Sequence, residues 1–133
     1  MALQYSGTVR DAKLNSVETT IGTSPILTIR TGAAPANCGT ANSGTVLATL
    51  TLPSDWMAAA SGGTKAISGT WQDTSADATG TAAHFRIHDS TGTTCHIQGT
   101  VGTSATDMIV DSVSFTATQS FSITSFTLTA GNA

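Results

Sequence analysis

The sequence predicts an all-β chain: a single-domain antiparallel β-sandwich of jelly-roll type with a short N-terminal helix. About one residue in five is Thr while only 10% are charged, and a β-branched hydroxyl suits a pleated, half-buried surface. Disordered chains are polar through charge instead. Short apolar alternations recur along most of the chain, separated by Gly, Pro, Asn and Asp. The helices that a parallel α/β fold needs between its strands are missing.

The elements follow in order. Residues 1–24 read as an N-terminal arm and helix, and 25–133 as the sandwich. The helix is expected from Thr8 to Ile21, with Thr8 and Asp11 at capping-box spacing and Val9, Leu14, Val17 and Ile21 as a loose apolar stripe. Gly22 stops it and Pro25 prevents its continuation. Arg10, Asp11, Lys13 and Glu18 give this segment a large share of the few charges. Ile26 to Thr31 reads as a strand, followed by a long Gly/Ala/Asn/Pro stretch to Gly44. The next strand places Val46, Ala48, Leu50 and Leu52 on one face and Thr45, Leu47, Thr49 and Thr51 on the other.

Pro53 ends that strand. Ser54 and Asp55 are placed to cap a helical turn from Trp56 to Ala60. A strand from Ala66 to Gln72 carries Ile67 and Trp71, and a polar loop follows to Thr81. A hairpin is expected around Asp89-Ser90-Thr91-Gly92, with Phe85, Ile87, Cys95 and Ile97 inward and His84, Arg86, His88, His96 and Gln98 outward. Met108, Val110, Val113 and Phe115 mark a further strand, and Phe121, Ile123, Phe126 and Leu128 the last. Seven or eight strands result.

At 133 residues the chain fits one domain. A net charge of −3 with five basic residues argues against nucleic acid and against an anionic membrane surface. The opening MALQYSGTVR holds no long apolar run, so neither a signal peptide nor a membrane span is expected, and the chain is expected to stay in the cytoplasm that makes it. There, Cys38 and Cys95 are expected as two reduced thiols, with a disulfide between them as the alternative.

The outward strip of His84, Arg86, His88 and His96 brings titratable groups together on one hairpin face. Positions four apart on a strand lie about 13 Å from each other, so only a cross-strand His88–His96 pair could share an ion, and no carboxylate joins them. A polar strip with no metal is the expectation. Catalysis is not expected either: Asp73, Asp77 and Asp89 sit in turns, GxSxG is absent, and Ser61-Gly62-Gly63-Thr64-Lys65 fails the phosphate-loop spacing. Trp71 shares a strand face with Ile67 and reads as core, and Trp56 as a plug at one end. An exposed Trp would instead suit sugar stacking.

Three stretches carry a resemblance: TVRDAKLNSVETTIGTSPILTIRTGAAPANC, LPSDWMAAASGGTKAISGTWQDTSADATGTAAHFRIHDSTGTTCHIQGTV and FSITSFTLTAGNA. Together they resemble a family of small proteins encoded in the structural gene blocks of tailed bacteriophages and prophages. Other small β-rich proteins of that setting are capsid cement or decoration proteins, several of them jelly rolls. The resemblance implies a non-enzymatic virion protein on the capsid exterior, made in the host cytoplasm. Its expected partners are the major capsid protein and itself, as a homodimer or homotrimer, without a cofactor. Tyr5, Val9, Arg10, Leu14 and Val17 are the expected contact surface. The alternative is a tail-fibre or receptor-binding module recognising host glycan, through Trp56 or Trp71.

Overall fold

A computed structural model describes residues 3–131. Helix α1 (Gly7–Ile21) is N-capped by Ser6, whose Oγ accepts from the Val9 N–H at 3.2 Å. The expected Thr8–Asp11 capping box does not form, because the Asp11 carboxylate accepts from the Gly63 N–H at 2.8 Å instead. Gly22 ends the helix with a φ of 91°, its N–H bonding the Glu18 carbonyl at 2.9 Å. No acid in the first turn and no base in the last complements the helix dipole. The helix is held by the rest of the chain.

The strands are β1 (Ile26–Arg30), β2 (Val46–Thr51), β3 (Thr64–Ala66), β4 (Gln72–Asp73), β5 (Gly80–Thr81), β6 (His84–His88), β7 (Cys95–Gly102), β8 (Met108–Val110), β9 (Ser114–Phe115) and β10 (Phe121–Thr129). The main sheet runs β2-β1-β6-β7-β8-β10-β3, with β4 also on β10, and β5 pairs β9 separately. The protein is thus mostly β with one N-terminal helix. The purely antiparallel arrangement expected from the sequence is corrected by β7 and β8, which pair in parallel through Val101↔Met108 and Gly102↔Ile109. A short return permits this: Asp107 Oδ2 accepts from the Thr100 N–H and hydroxyl at 2.9 and 3.0 Å, and Ala105 takes a φ of 55°. The sheet curls, bringing β2 against the chain around β4, where the Thr49 hydroxyl donates to Asp77 at 2.8 Å and the Asp77 N–H to the Leu47 carbonyl at 2.7 Å.

Inside the curl lie Leu27, Ile29, Leu50, Phe85 and Ile87 with a chain of rings. Trp56 and Trp71 are 6.0 Å apart, Trp71 and Phe126 5.9 Å, and Phe126 meets Phe85 edge-on at 5.3 Å. Ala48, Leu50 and Leu52 are buried as the alternation predicts, and Leu47 is buried too because Gly80 of β5 packs over it. The expected helical turn at Trp56–Ala60 is extended instead: Met57 bridges Ile67, and the Ala58 N–H bonds the Ala66 carbonyl. The expected strand from Ala66 to Gln72 is broken at Gly69, whose φ of 73° bends the chain.

Lys65 fixes α1 to this frame. It is only 2% exposed, and its ammonium reaches Glu18 at 2.8 Å, Asn15 Oδ1 at 2.9 Å and the Ala58 carbonyl at 2.8 Å. These partners match its three donors. Asn15 also accepts from the Ala60 N–H, Arg10 Nε donates to the Ala130 carbonyl at 2.9 Å, and Trp56 Nε1 donates to the Gly22 carbonyl at 3.0 Å. Removing one member of a buried pair strands the other. Lys65→Met is therefore expected to lower unfolding free energy by about 3 kcal/mol, and Glu18→Gln, which keeps a neutral acceptor, by about 1 kcal/mol. Urea denaturation of the two variants checks this ordering.

Candidate functional site

Strand alternation gives β1 and β6 two faces. Leu27, Ile29, Phe85 and Ile87 enter the core, leaving Thr28, Arg30, His84, Arg86 and His88 on the other side, with Thr28 paired to Arg86 and Arg30 to His84. The sequence places this strip outward. In the structure His84, Arg86 and His88 are buried, Arg86 to 1% exposure. The reason is the 32–44 segment, which lies across them and offers its oxygens to their donors.

Arg86 makes the central contacts. Its two terminal nitrogens donate to Asn42 Oδ1 at 2.6 Å, the Cys38 carbonyl at 2.9 Å and the Asn37 carbonyl at 3.4 Å. His84 Nδ1 lies 2.7 Å from the Gly32 carbonyl, which can only accept, so Nδ1 carries the hydrogen. Gln98 Nε2 donates to the Pro35 carbonyl at 2.7 Å, and Arg30 bonds Thr28 Oγ1 and the Ser43 carbonyl. The segment closes at Gly44, where φ is 72° and a side chain would overlap the Thr31 carbonyl.

A bulge corrects the rest of the expected strip. β6 and β7 pair Ile87 with Ile97 but His88 with Cys95, so His96 is the extra residue. Cys95, expected inward with Ile97, joins the polar face instead. His96 borders a cleft formed with Ser16, Val17, Thr20 and Ile21 of α1. The His88–His96 pair therefore does not face a common cavity. Among the described residues no group of three or more His, Cys, Asp or Glu gathers as a metal site.

A cavity of about 300 Å³ opens over this face, lined by Cys38, Thr40, Asn42, Arg86, His88, Thr93 and Cys95 with Gly39 and Ala41. No Asp or Glu lines it. Asp89 stands at the adjacent turn, its Oδ1 taken by the Thr91 hydroxyl at 2.7 Å and the Thr93 N–H at 3.0 Å; these bonds hold its carboxyl below the ordinary range. Burial, then the Arg86 and Arg30 charges, hold His88 below the usual histidine range, opposed by Asp89. Burial first, and Arg86 next, lower Arg30 as well. The Cys38 and Cys95 thiols are both free and line the same cavity, Cys95 Sγ donating to the Ile97 carbonyl at 3.5 Å, and burial followed by Cys38 pushes Cys95 up to about 11 while Arg86 acts in the opposite direction. A larger cleft of about 420 Å³ beside Phe85, Gln98 and Phe126 holds Asp107. That carboxylate already serves the Thr100 N–H and hydroxyl.

The N-terminal residues divide. Tyr5 and Val9 are 39% and 42% exposed, and Leu3, which sequence reasoning passed over, is 70% exposed. Leu14 is buried, Val17 packs against the core, and Arg10 is engaged with Ala130. The Lys13 ammonium lies 4.4 Å over the Tyr5 ring. Trp56 and Trp71 are both buried, which leaves neither as a sugar-stacking platform. Among the described residues no helix is long and apolar enough to cross a membrane.

No protein-family model, curated protein or solved structure shows significant similarity to this chain.

Two outcomes follow from the site's titrations. At pH 8 Cys95 should alkylate about a hundredfold more slowly than an ordinary thiol, since its pKa lies about two units higher; peptide mass spectrometry after timed iodoacetamide treatment measures this. His88 has a folded-state pKa below the 6.5 of an unfolded histidine. Its neutral form therefore favours the fold above that pH, and this contribution is lost as pH falls through the lowered value. Stability should decline on the acid side, and His88→Gln should flatten part of that decline in denaturation at graded pH.

Proposed function

We propose that the chain is a non-enzymatic virion structural protein of a tailed phage, a cement or decoration protein that binds the outside of the head shell. The observation that carries this reading is the exposure of Leu3 and Tyr5 ahead of α1 and of Val9 in its first turn. They are the exposed large hydrophobic residues among those described, and they fall together in one short segment that runs into the first turn of a pinned helix. Apolar side chains concentrated in this way mark a contact surface, and the sequence resemblance suggests the major capsid protein as its partner.

The remaining surface supports the same role. Thr and Ser hydroxyls cost less to desolvate than Lys or Glu, which favours broad contacts that tolerate salt. Many copies on a shell allow each contact to be modest. A rigid curled sheet gives the arm a fixed base, and a homodimer or homotrimer would multiply the arms per particle.

Purified protein added to undecorated heads is expected to bind and to raise the temperature at which the heads release DNA. A Leu3→Ser, Tyr5→Ser, Val9→Ser variant should keep its own melting temperature yet bind about tenfold more weakly. Failure of the unaltered protein to bind or stabilise heads would reject the proposal.

A further inference from the structure

The cavity beneath the 32–44 segment presents a charge imbalance. Buried cations are ordinarily paired with anions, as Lys65 is with Glu18. Burial first, and then the nearby Arg86 guanidinium, hold Arg30 below its ordinary value. The hydrogen-bond partners of both arginines are neutral: Thr28, Ser43, Asn42, Asn37 and Cys38 oxygens. Carbonyl and amide oxygens satisfy N–H donors without cancelling net charge. Among the described residues, Lys65–Glu18 is the only salt bridge.

Arg86 also retains an unused donor. Its Nε is buried and has no hydrogen-bond partner, although the terminal nitrogens of the same guanidinium are engaged. Thr40, Thr93 and His88 line the same cavity as Arg86. Asn42 accepts from Arg86 through Oδ1, which leaves its amide nitrogen to donate. A guanidinium charge with a spare N–H, hydroxyls, an amide and an imidazole are groups that recognise a tetrahedral oxyanion.

From this arrangement we infer that the cavity lined by Arg86, His88, Asn42, Thr40 and Thr93 is a binding site for a phosphate-type oxyanion. The anion supplies the countercharge that the chain withholds from Arg86 and Arg30. It also ties the 32–44 segment more firmly to β6 and β7, since it contacts both sides of the cavity. At about 300 Å³ the space exceeds inorganic phosphate and has room for a small phosphomonoester. The inference is independent of whether the chain decorates a phage head.

An anion beside His88 favours the protonated ring, so binding takes up a proton there. Arg86 and Arg30 oppose that protonation, with His96 adding to them and Asp89 acting against them; Cys95 and Cys38 share the cavity. Sulfate is the suitable probe for this linkage because it does not itself titrate between pH 5.5 and 7.5, whereas phosphate does. Uptake of one proton limits the gain to about tenfold in affinity per pH unit.

The test is calorimetric titration and thermal unfolding of the full chain with sulfate and with inorganic phosphate, at ionic strength held constant with chloride. Saturable binding of both is expected, with a rise in melting temperature that matched chloride does not give. Sulfate affinity should increase several-fold from pH 7.5 to 5.5, and His88→Gln should abolish that slope. Arg86→Lys keeps the charge but loses the spare Nε–H and the planar guanidinium, and should weaken binding about tenfold. If that variant does not fold, Arg30→Gln, which removes the second cation from outside the cavity lining, should weaken binding in its place. Glycerol phosphate binding more tightly than inorganic phosphate would identify an ester as the ligand, and equal affinity the free anion. No saturable response beyond chloride overturns the inference, as does binding that is unchanged in the folded arginine variant.

Discussion

The contact between the Arg86 guanidinium and the oxygens of Asn42, Cys38 and Asn37 determines how one whole side of the protein is built. A strand with apolar residues on one face and His84, Arg86 and His88 on the other would ordinarily turn the second face to water. Here a segment poor in regular structure covers it. It can do so because its backbone carbonyls, otherwise costly to bury, find donors in the strand's own side chains. The Gly, Ala, Pro and Asn composition of 32–44 suits that task, since small side chains let carbonyls approach the sheet. Without Arg86 the segment would lose its principal donors and the face its cover.

Lys65 shows the same device with a different charge outcome. It too is a buried cation on a strand that holds a separate piece of chain, in this case α1, through several oxygens. One of those oxygens belongs to the Glu18 carboxylate, so the assembly at the helix is locally neutral. At Arg86 every acceptor is neutral, so hydrogen bonding is nearly complete while charge is not. The contrast separates a purely structural pin from a pin that also concentrates positive potential beside a concave surface.

Much of the fold was legible because its signals are local. The helix stop at Gly22, the inward Phe85 and Ile87, and the burial of Trp71 all follow from spacing within a few residues. The parallel β7–β8 pair was not legible, since it depends on a return held by Asp107 that no periodicity announces. The polar strip was half legible. Period two correctly grouped His84, Arg86 and His88, but whether that face meets water depends on where the 32–44 segment lies, a long-range fact. The single extra residue at His96 then exchanged it for Cys95, because a bulge shifts strand alternation. Leu14 and Val17 were read as contact surface for a similar reason: an apolar stripe on a helix does not say whether its own chain or a neighbour covers it.

These two buried cations also explain how so sparsely charged a protein can hold its parts in one arrangement. With only five basic residues, Arg10, Arg30, Lys65 and Arg86 are all committed to contacts within the chain. Lys13, over the Tyr5 ring, is the one placed beside the exposed arm. The cations are thus withdrawn from the surface and used as donors for carbonyls, leaving Thr and Ser to meet the surroundings. A surface of that kind offers little long-range attraction to a polyanion, while the cavity beside Arg86, about 300 Å³ in volume, is sized for a small ligand. Selectivity for a small anion over a large one then follows from cover and cavity size, since the same arginines exposed on an open strand would attract both.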